Sequence, residues 1–309
     1  MKKALVFGPR GQIGSYLVEL LATKEYHVIA DHTNFLDLDF VGYLKELLRE
    51  AQPDEIYNMA GRQFAPASWS NPTDYLHVNA IAVMQMLQMI SLHRPEAKFF
   101  NAGSAEMFDK RTLRQNEDTP IKPENPYGVS KQAAFEAVKI YRKQGLFACT
   151  GIFFNMESPR RKKWFFAEKV ASEVATLKRE LDANLIPNEI RFDKLDAIRD
   201  WGWAPEYAEA AWMMLQATNA TDCVIGTGES HSCLEFVLEA LKVIGLEDSV
   251  TAFEKYVRCD ERTGPMSIMR ADPSKIERIV GWRATTKFAD VVRKLVEAEL
   301  GQSVTVRQP

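Results

Sequence analysis

Strand-like and helix-like segments alternate along the first half of this chain, and that alternation limits the possible folds more than any other feature. The apolar run Ala4–Phe7 reads as a buried strand; Ile13, Tyr16, Leu17, Leu20 and Leu21 then keep the i, i+3, i+4 spacing of a one-sided helix. A strand over 27–31, a helix over 40–51, a strand over 55–60 and a long helical stretch near 73–93 follow. A strand over 97–103, a helix over 126–144 and a strand over 147–155 continue the series. Parallel strands need crossovers, and helices supply them. The pattern therefore predicts an α/β fold built on a doubly wound parallel sheet of the Rossmann kind. From residue 156 the order is less regular, with a basic helix over 163–180 and another over 205–218.

The first strand runs directly into "GPRGQIG", which places Gly8, Gly11 and Gly14 at G-x-x-G-x-x-G spacing. Such glycines let the backbone turn sharply and approach a pyrophosphate at a helix N-terminus. Between a strand and an amphipathic helix, they imply a bound dinucleotide. Asp31 ends the second strand, 17 residues after Gly14. An acid there would accept from an adenosine ribose and repel a 2′-phosphate, so NAD is favoured over NADP. The same Asp could instead serve a turn or helix cap, with His32 in the ribose-facing slot.

Composition narrows the class. A net charge of −3 gives no support to a nucleic-acid or anionic-membrane surface. The four cysteines show no CxxC spacing and the five histidines no ligand spacing, so no metal site is expected. No uninterrupted apolar stretch reaches bilayer length, and the short apolar run after Met1 does not read as a signal peptide. These features predict a cytoplasmic protein without membrane partners.

"NPYGVSK" sets Tyr127 and Lys131 four residues apart, on one face of a helix. A phenol of reference pKa near ~10 needs a nearby cation to work as a base, and Lys131 could supply it. Upstream, "NAGSAEMF" carries Ser104 and Glu106 two residues apart at a strand end. If the strand continues that far, both side chains point to one side. Together with the glycine loop, these segments resemble the extended, sugar-nucleotide branch of the short-chain dehydrogenase/reductase superfamily.

The resemblance implies a catalytic set of Ser104, Glu106, Tyr127 and Lys131, with the hydroxyl of Ser104 bonding the reacting oxygen. Glu106 is surplus to simple hydride transfer. Sugar-nucleotide 4,6-dehydratases have an acid at this place, to remove a proton from C5 and help expel the C6 hydroxyl. "NMESPRR" (155–161), "KLDAIRDWG" (194–202), "YVRCDE" (256–261) and "DPSK…GW" (272–282) are similar to segments of GDP-mannose 4,6-dehydratases. By that similarity Asn155, Lys169, Arg199 and Arg258 would face the sugar-nucleotide diphosphate, and Glu261 would hold the guanosine ribose. Arginine suits the role because its planar fork pairs with phosphate oxygens. The run "RRKK" (160–163) can be a solvated helix start, and Lys162 and Lys163 are given no role.

The implied cofactor contacts are Gly8, Gly11, Gln12, Ile13, Gly14, Asp31 and Ala60, joined by Tyr127 and Lys131. The implied division is a dinucleotide-binding domain of residues 1–155 with about 200–224, and a smaller, mostly C-terminal α/β sugar-nucleotide domain of about 156–199 and 225–309. Phe64, Met156 and Met107-Phe108 stand where the family usually has His, His and Leu-Tyr. The segment between the second and third strands, which in the family carries arginines for NADP and for tetramer contacts, is short. A homodimer is expected, or a tetramer, through the helices near 73–93 and 126–144, with Val83, Met84, Leu87, Ala134 and Val138 as the apolar patch. Two other functions stay open: a GDP-4-keto-6-deoxyhexose reductase, and a non-catalytic NAD(P)-binding protein on the same fold.

Overall fold

The computed structural model describes residues 1–36, 39–260 and 267–301. Its first half follows the expected alternation: β1 (Lys3–Phe7), α1 (Gln12–Thr23), β2 (His27–Asp31), α2 (Phe40–Ala51) and β3 (Glu55–Asn58). The long helical stretch consists of α3 (Pro72–Leu76), a π-helical turn (His77–Ile81) and α4 (Ala82–His93). Then come β4 (Lys98–Ser104), α5 (Pro126–Lys143) and β5 (Ala148–Phe153). With a later strand, β10 (Cys223–Ile225), they form a six-stranded parallel sheet in the order β10-β5-β4-β3-β1-β2. The chain leaves β1 for the β2 edge, returns by the single helix α2, and moves outward again through β3 and β4. The strand order thus reverses beside β1, and sheets of this kind bind ligands at the carboxyl ends of the strands there.

Period-two alternation along β1 sends side chains to two cores. Ala4 and Val6 pack with α1 and with α7 (Ala204–Gln216) on one face of the sheet; Leu5 and Phe7 pack with α2, α4 and α5 on the other. Both faces are covered, which is why the strand is a continuous apolar run. On α1 the positions Ile13, Leu17 and Leu21 are the buried stripe. Truncating the fully buried Leu17 to Ala would cost about 2–5 kcal/mol. The segment "AAWMMLQA" belongs to this same core through Ala210, Ala211, Met214 and Leu215.

The continuous helix Pro72–His93 is long and apolar enough to cross a bilayer by length and composition, which corrects the expectation of no such stretch. Half of its apolar window is buried, against α2 and α5, so the core accounts for that half of the apolarity. The expected dimer patch is corrected on the same grounds. Val83, Leu87, Ala134 and Val138 are at most 1% exposed and belong to the intrachain core; of the five, Met84 alone faces outward. The most regular apolar spacing marks a helix's inward side. The outward apolar positions are instead Leu76, Ile81, Met84 and Leu92, with Val129 and Ile140 on α5.

After β5 the chain forms β6 (Asn155–Glu157), α6 (Phe166–Asp182), β7 (Ile190–Phe192), β8 (Ile198–Arg199) and β9 (Trp201–Trp203) before α7 and β10. Then follow β11 (His231–Ser232), α8 (Cys233–Val243), α9 (Ser249–Tyr256), β12 (Val257–Cys259), α10 (Ser274–Val280) and α11 (Phe288–Gly301). Short pairings tie this half together: β6 with β9, β7 with β12, and β8 with β11. Helices α6, α8, α9 and α11 close around a further core containing Trp201 and Phe236, whose ring centroids are 5.0 Å apart.

Candidate active site

Strand β4 ends at Ser104, and residues Ala105–Met107 turn at once into a 3-10 helix. Ser104 and Glu106 therefore do not share a strand face, as period-two spacing predicted. Ser104 caps the turn instead, its Oγ accepting from the Glu106 N–H at 3.2 Å. The hydroxyl competes with the strand ladder for the backbone, as Ser does at helix starts. Both side chains still reach one cavity of about 450 Å³, together with Tyr127, Asn155, Arg161 and Arg199.

Helix α5 delivers Tyr127 and Lys131. Asn125 caps it, its Oδ1 accepting from Gly128 N–H at 2.8 Å, and Pro126 occupies the first turn. Tyr127 and Lys131 are each 7% exposed. Burial pushes the Tyr127 phenol up to about 12, while a hydrogen bond with Ser104 and the charge of Arg161 pull it down without prevailing. Burial pushes Lys131 down to about 8; its Nζ donates to the Ala102 carbonyl at 2.8 Å and lies 5.9 Å from the Tyr127 ring centroid. Burial thus works against the phenolate and favours the neutral phenol of Tyr127.

Glu106 is the opposite case. Burial alone would raise its pKa, but the Lys110 ammonium, with help from Asn125 and Arg199, outweighs burial and holds it below its ordinary value. The Lys110 Nζ lies 2.8 Å from Glu106 Oε2. Glu106 therefore begins as a ready base.

A second groove of about 280 Å³ adjoins the cavity and shares Gln63, Gly103, Tyr127 and Met156 with it. Gly8, Gly11, Gln12, Ile13, Ala60 and Lys131 also line it. Gly14 does not; it is a packing glycine. A Cβ there would stand 2.1 Å from the Gly8 carbonyl oxygen, so only glycine lets α1 close on the loop. The N-terminus of α1 carries no side-chain cap and no acid in its first turn, which leaves its N–H groups for a phosphate. The groove therefore fits a dinucleotide. Its outer wall is tied to α5 by Asn79 of the π turn, which exchanges 2.9 Å hydrogen bonds with the Arg62 backbone and donates to Ser130 Oγ at 2.9 Å.

Asp31 lies outside the lining. Its carboxylate accepts from Thr33 N–H at 3.0 Å and from the Tyr43 hydroxyl, and His32 beside it is exposed. Among the expected substrate residues, Asn155 and Arg199 reach the cavity. Lys169 and Arg258 do not. They lie by the β7–β12 pair, where Lys169 donates to the Arg191 carbonyl at 2.9 Å and Arg258 pairs with Glu189 at 3.0 Å. Glu261 falls outside the described residues.

Arg161 is the residue that the sequence reading missed. It was absorbed into a basic run, yet its side chain is only 9% exposed and donates to Gln12 Oε1 of the glycine loop at 2.9 Å. It stands over the Phe165 ring at 3.8 Å and 3.6 Å from the buried Glu157. The usable signal was local: Glu157 four residues before it, and aromatic residues directly after the run.

The chain is 33% identical over 333 residues to GDP-mannose 4,6 dehydratase 1 of Arabidopsis thaliana, covering 97% of this chain and 90% of the relative. RMD from Pseudomonas aeruginosa, solved in complex with NADPH, superposes with a TM-score of 0.85 at 19% identity, over 97% of this chain and 99% of that one. The UDP-glucose 4-epimerase of Thermus thermophilus, solved with NAD, gives 0.80 at 20% identity, over 97% and 100%. At such identities the two structures speak for the fold alone. Residues 5–295 match the family described as GDP-mannose 4,6 dehydratase, and with the sequence relative this shows that the chain belongs to that family.

Proposed function

We propose that this chain is an NAD(P)-dependent 4,6-dehydratase of a GDP-hexose, with GDP-mannose as the first substrate to try. One observation carries the reading: a carboxylate held ionised, Glu106, in the same cavity as Ser104 and Tyr127. Hydride exchange at C4 does not need it; loss of water across C5 and C6 does. Ser104 and Tyr127 hold the C4 oxygen and receive its proton. A dinucleotide held by Gly8, Gly11, Gln12, Ile13, Ala60 and Lys131 would supply reversible hydride exchange between C4 and C6 and a positive charge that would favour the phenolate. With C4 a ketone, the C5 proton is acidic and passes to Glu106. The C6–O bond breaks, and Glu106 gives its proton to the departing hydroxyl, so that water leaves. The proton kept at Tyr127 then returns to C5, which balances the sequence with no net oxidation.

Arg199 and Asn155 in the cavity suit the diphosphate side of such a substrate. The core built on α6, α8, α9 and α11 supports a second unit after residue 156, while Ile276 and Trp282 of the C-terminal stretch pack in the core of the large sheet instead. Asp31 at the β2 end favours NAD over NADP. The outward Leu76, Ile81, Met84, Val129 and Ile140 support a dimer through α3–α4 and α5. Buried thiols at Cys149, Cys223 and Cys233 suit a reducing cytoplasm.

The test is to incubate the purified protein and NAD with GDP-mannose and a panel of GDP- and UDP-sugars, following the sugar nucleotides by mass spectrometry. Loss of one water without net cofactor consumption supports the dehydratase. Stoichiometric use of reduced cofactor on a 4-keto sugar would put the reductase first.

A further inference from the structure

Glu106 is held from behind. Lys110 Nζ donates to Glu106 Oε2 at 2.8 Å, and Asn125 Nδ2 donates to the same oxygen at 2.9 Å. Among the described residues no donor reaches Oε1. Neither Lys110 nor Asn125 lines the cavity, so whatever they do for the reaction they do through Glu106. Lys110 is mostly covered, with 15% of its side chain exposed, and its second carboxylate neighbour, Glu124, is 4.0 Å away.

Asn125 has two tasks in one amide. Its carbonyl caps α5 through Gly128 N–H while its NH₂ group holds Glu106. Gly128 in turn lies directly against the Glu106 backbone. The helix that carries Tyr127 and the turn that carries Glu106 are therefore registered to each other by a side chain and by a backbone contact.

We propose that Lys110 and Asn125 are positioning residues for the dehydration step: they fix one oxygen of Glu106 and leave the other to take the C5 proton. The proposal rests on the dehydratase reading for the step it serves, but not for the geometry it describes. Two donors on Oε2 stabilise the carboxylate over the acid, because both bond the charged form. The charged or titratable groups facing Glu106 are Lys110 from its own segment, Arg199 from β8 and Tyr127 from α5, with Glu124 acting through Lys110. Burial is the largest single influence and raises the carboxyl; Lys110, Asn125 and Arg199 together outweigh it, with Lys110 foremost among them.

The test separates the two claims. Difference infrared spectroscopy against Glu106→Gln isolates the Glu106 carboxylate band, and its titration needs no substrate. In Lys110→Met the band should titrate about one pH unit or more higher than in the wild type, and Lys110→Arg should restore it. Asn125→Ser should move it in the same direction at unchanged melting temperature, since Ser still caps a helix. With GDP-mannose, the acid limb of the kcat profile should move up with it, lowering kcat about tenfold on that limb while KM holds. Glu106 titrating at its wild-type pH in both Lys110→Met and Asn125→Ser would overturn the proposal. A wild-type protein that releases no water from GDP-mannose would instead remove the dehydratase reading, and the infrared titration would still decide the positioning.

Discussion

Gly128 on α5 and Glu106 on the turn after β4 touch through their backbones: a Cβ built on Gly128 would stand 2.6 Å from the Glu106 carbonyl oxygen. The same Cβ would stand 2.9 Å from Pro123 Cβ, so it has no side on which to relax. Gly128→Ala should push α5 away from the turn, at about 1–3 kcal/mol of stability. The expected result is a lower melting temperature and a fall in kcat larger than any change in dinucleotide affinity. Unchanged kcat would mean that the separation of Tyr127 from Glu106 is not critical.

Glu106→Gln keeps shape but cannot take a proton. Folding and dinucleotide binding should survive, while dehydration falls by about 10²–10⁴. Reduced nicotinamide should accumulate by absorbance, because C4 oxidation needs only Ser104, Tyr127 and Lys131; Tyr127→Phe should block that step and show none. The pH dependence has a definite sign. Since the Glu106 pKa is depressed, its base form persists below the ordinary carboxylate range, and activity on the acid side should be lost only as pH falls through the depressed value. Dehydration by Glu106→Gln at the wild-type rate would make Glu106 a bystander and move the reductase reading ahead.

Cofactor preference hangs on Asp31. Calorimetry should find NAD bound at least as tightly as NADP, because a buried carboxylate at the β2 end repels a 2′-phosphate. Clearly tighter NADP would leave Asp31 as the acceptor for Thr33 and Tyr43 and nothing more.

Assembly can be tested on the outward face. Light scattering at micromolar concentration should give a dimer, and Met84→Asp with Val129→Asp should give a folded monomer, since both side chains are more than 40% exposed in the single chain. A wild-type monomer would leave the apolar positions on α3–α4 and α5 unexplained.

The alternation of β1, α1, β2, α2 and β3 was legible because each element carries its own period, two or 3.6, and because both faces of the sheet are covered. Gly8, Gly11, Tyr127 and Lys131 were legible for a similar reason: their spacing is local, and helix or loop geometry converts it directly into position. Proximity across the chain was not encoded that way. Arg161 meets Gln12 over 149 positions, and Lys169 and Arg258 are carried to the β7–β12 pair instead of the cavity. Protonation depends on what surrounds each group: burial raises the Tyr127 phenol and lowers the Lys131 ammonium, while Lys110, Asn125 and Arg199 together hold the half-buried Glu106 carboxyl below its ordinary value. Spacing fixes which groups a helix or loop presents; the solvent and charges that surround them, which set their chemistry, exist only after the chain has folded.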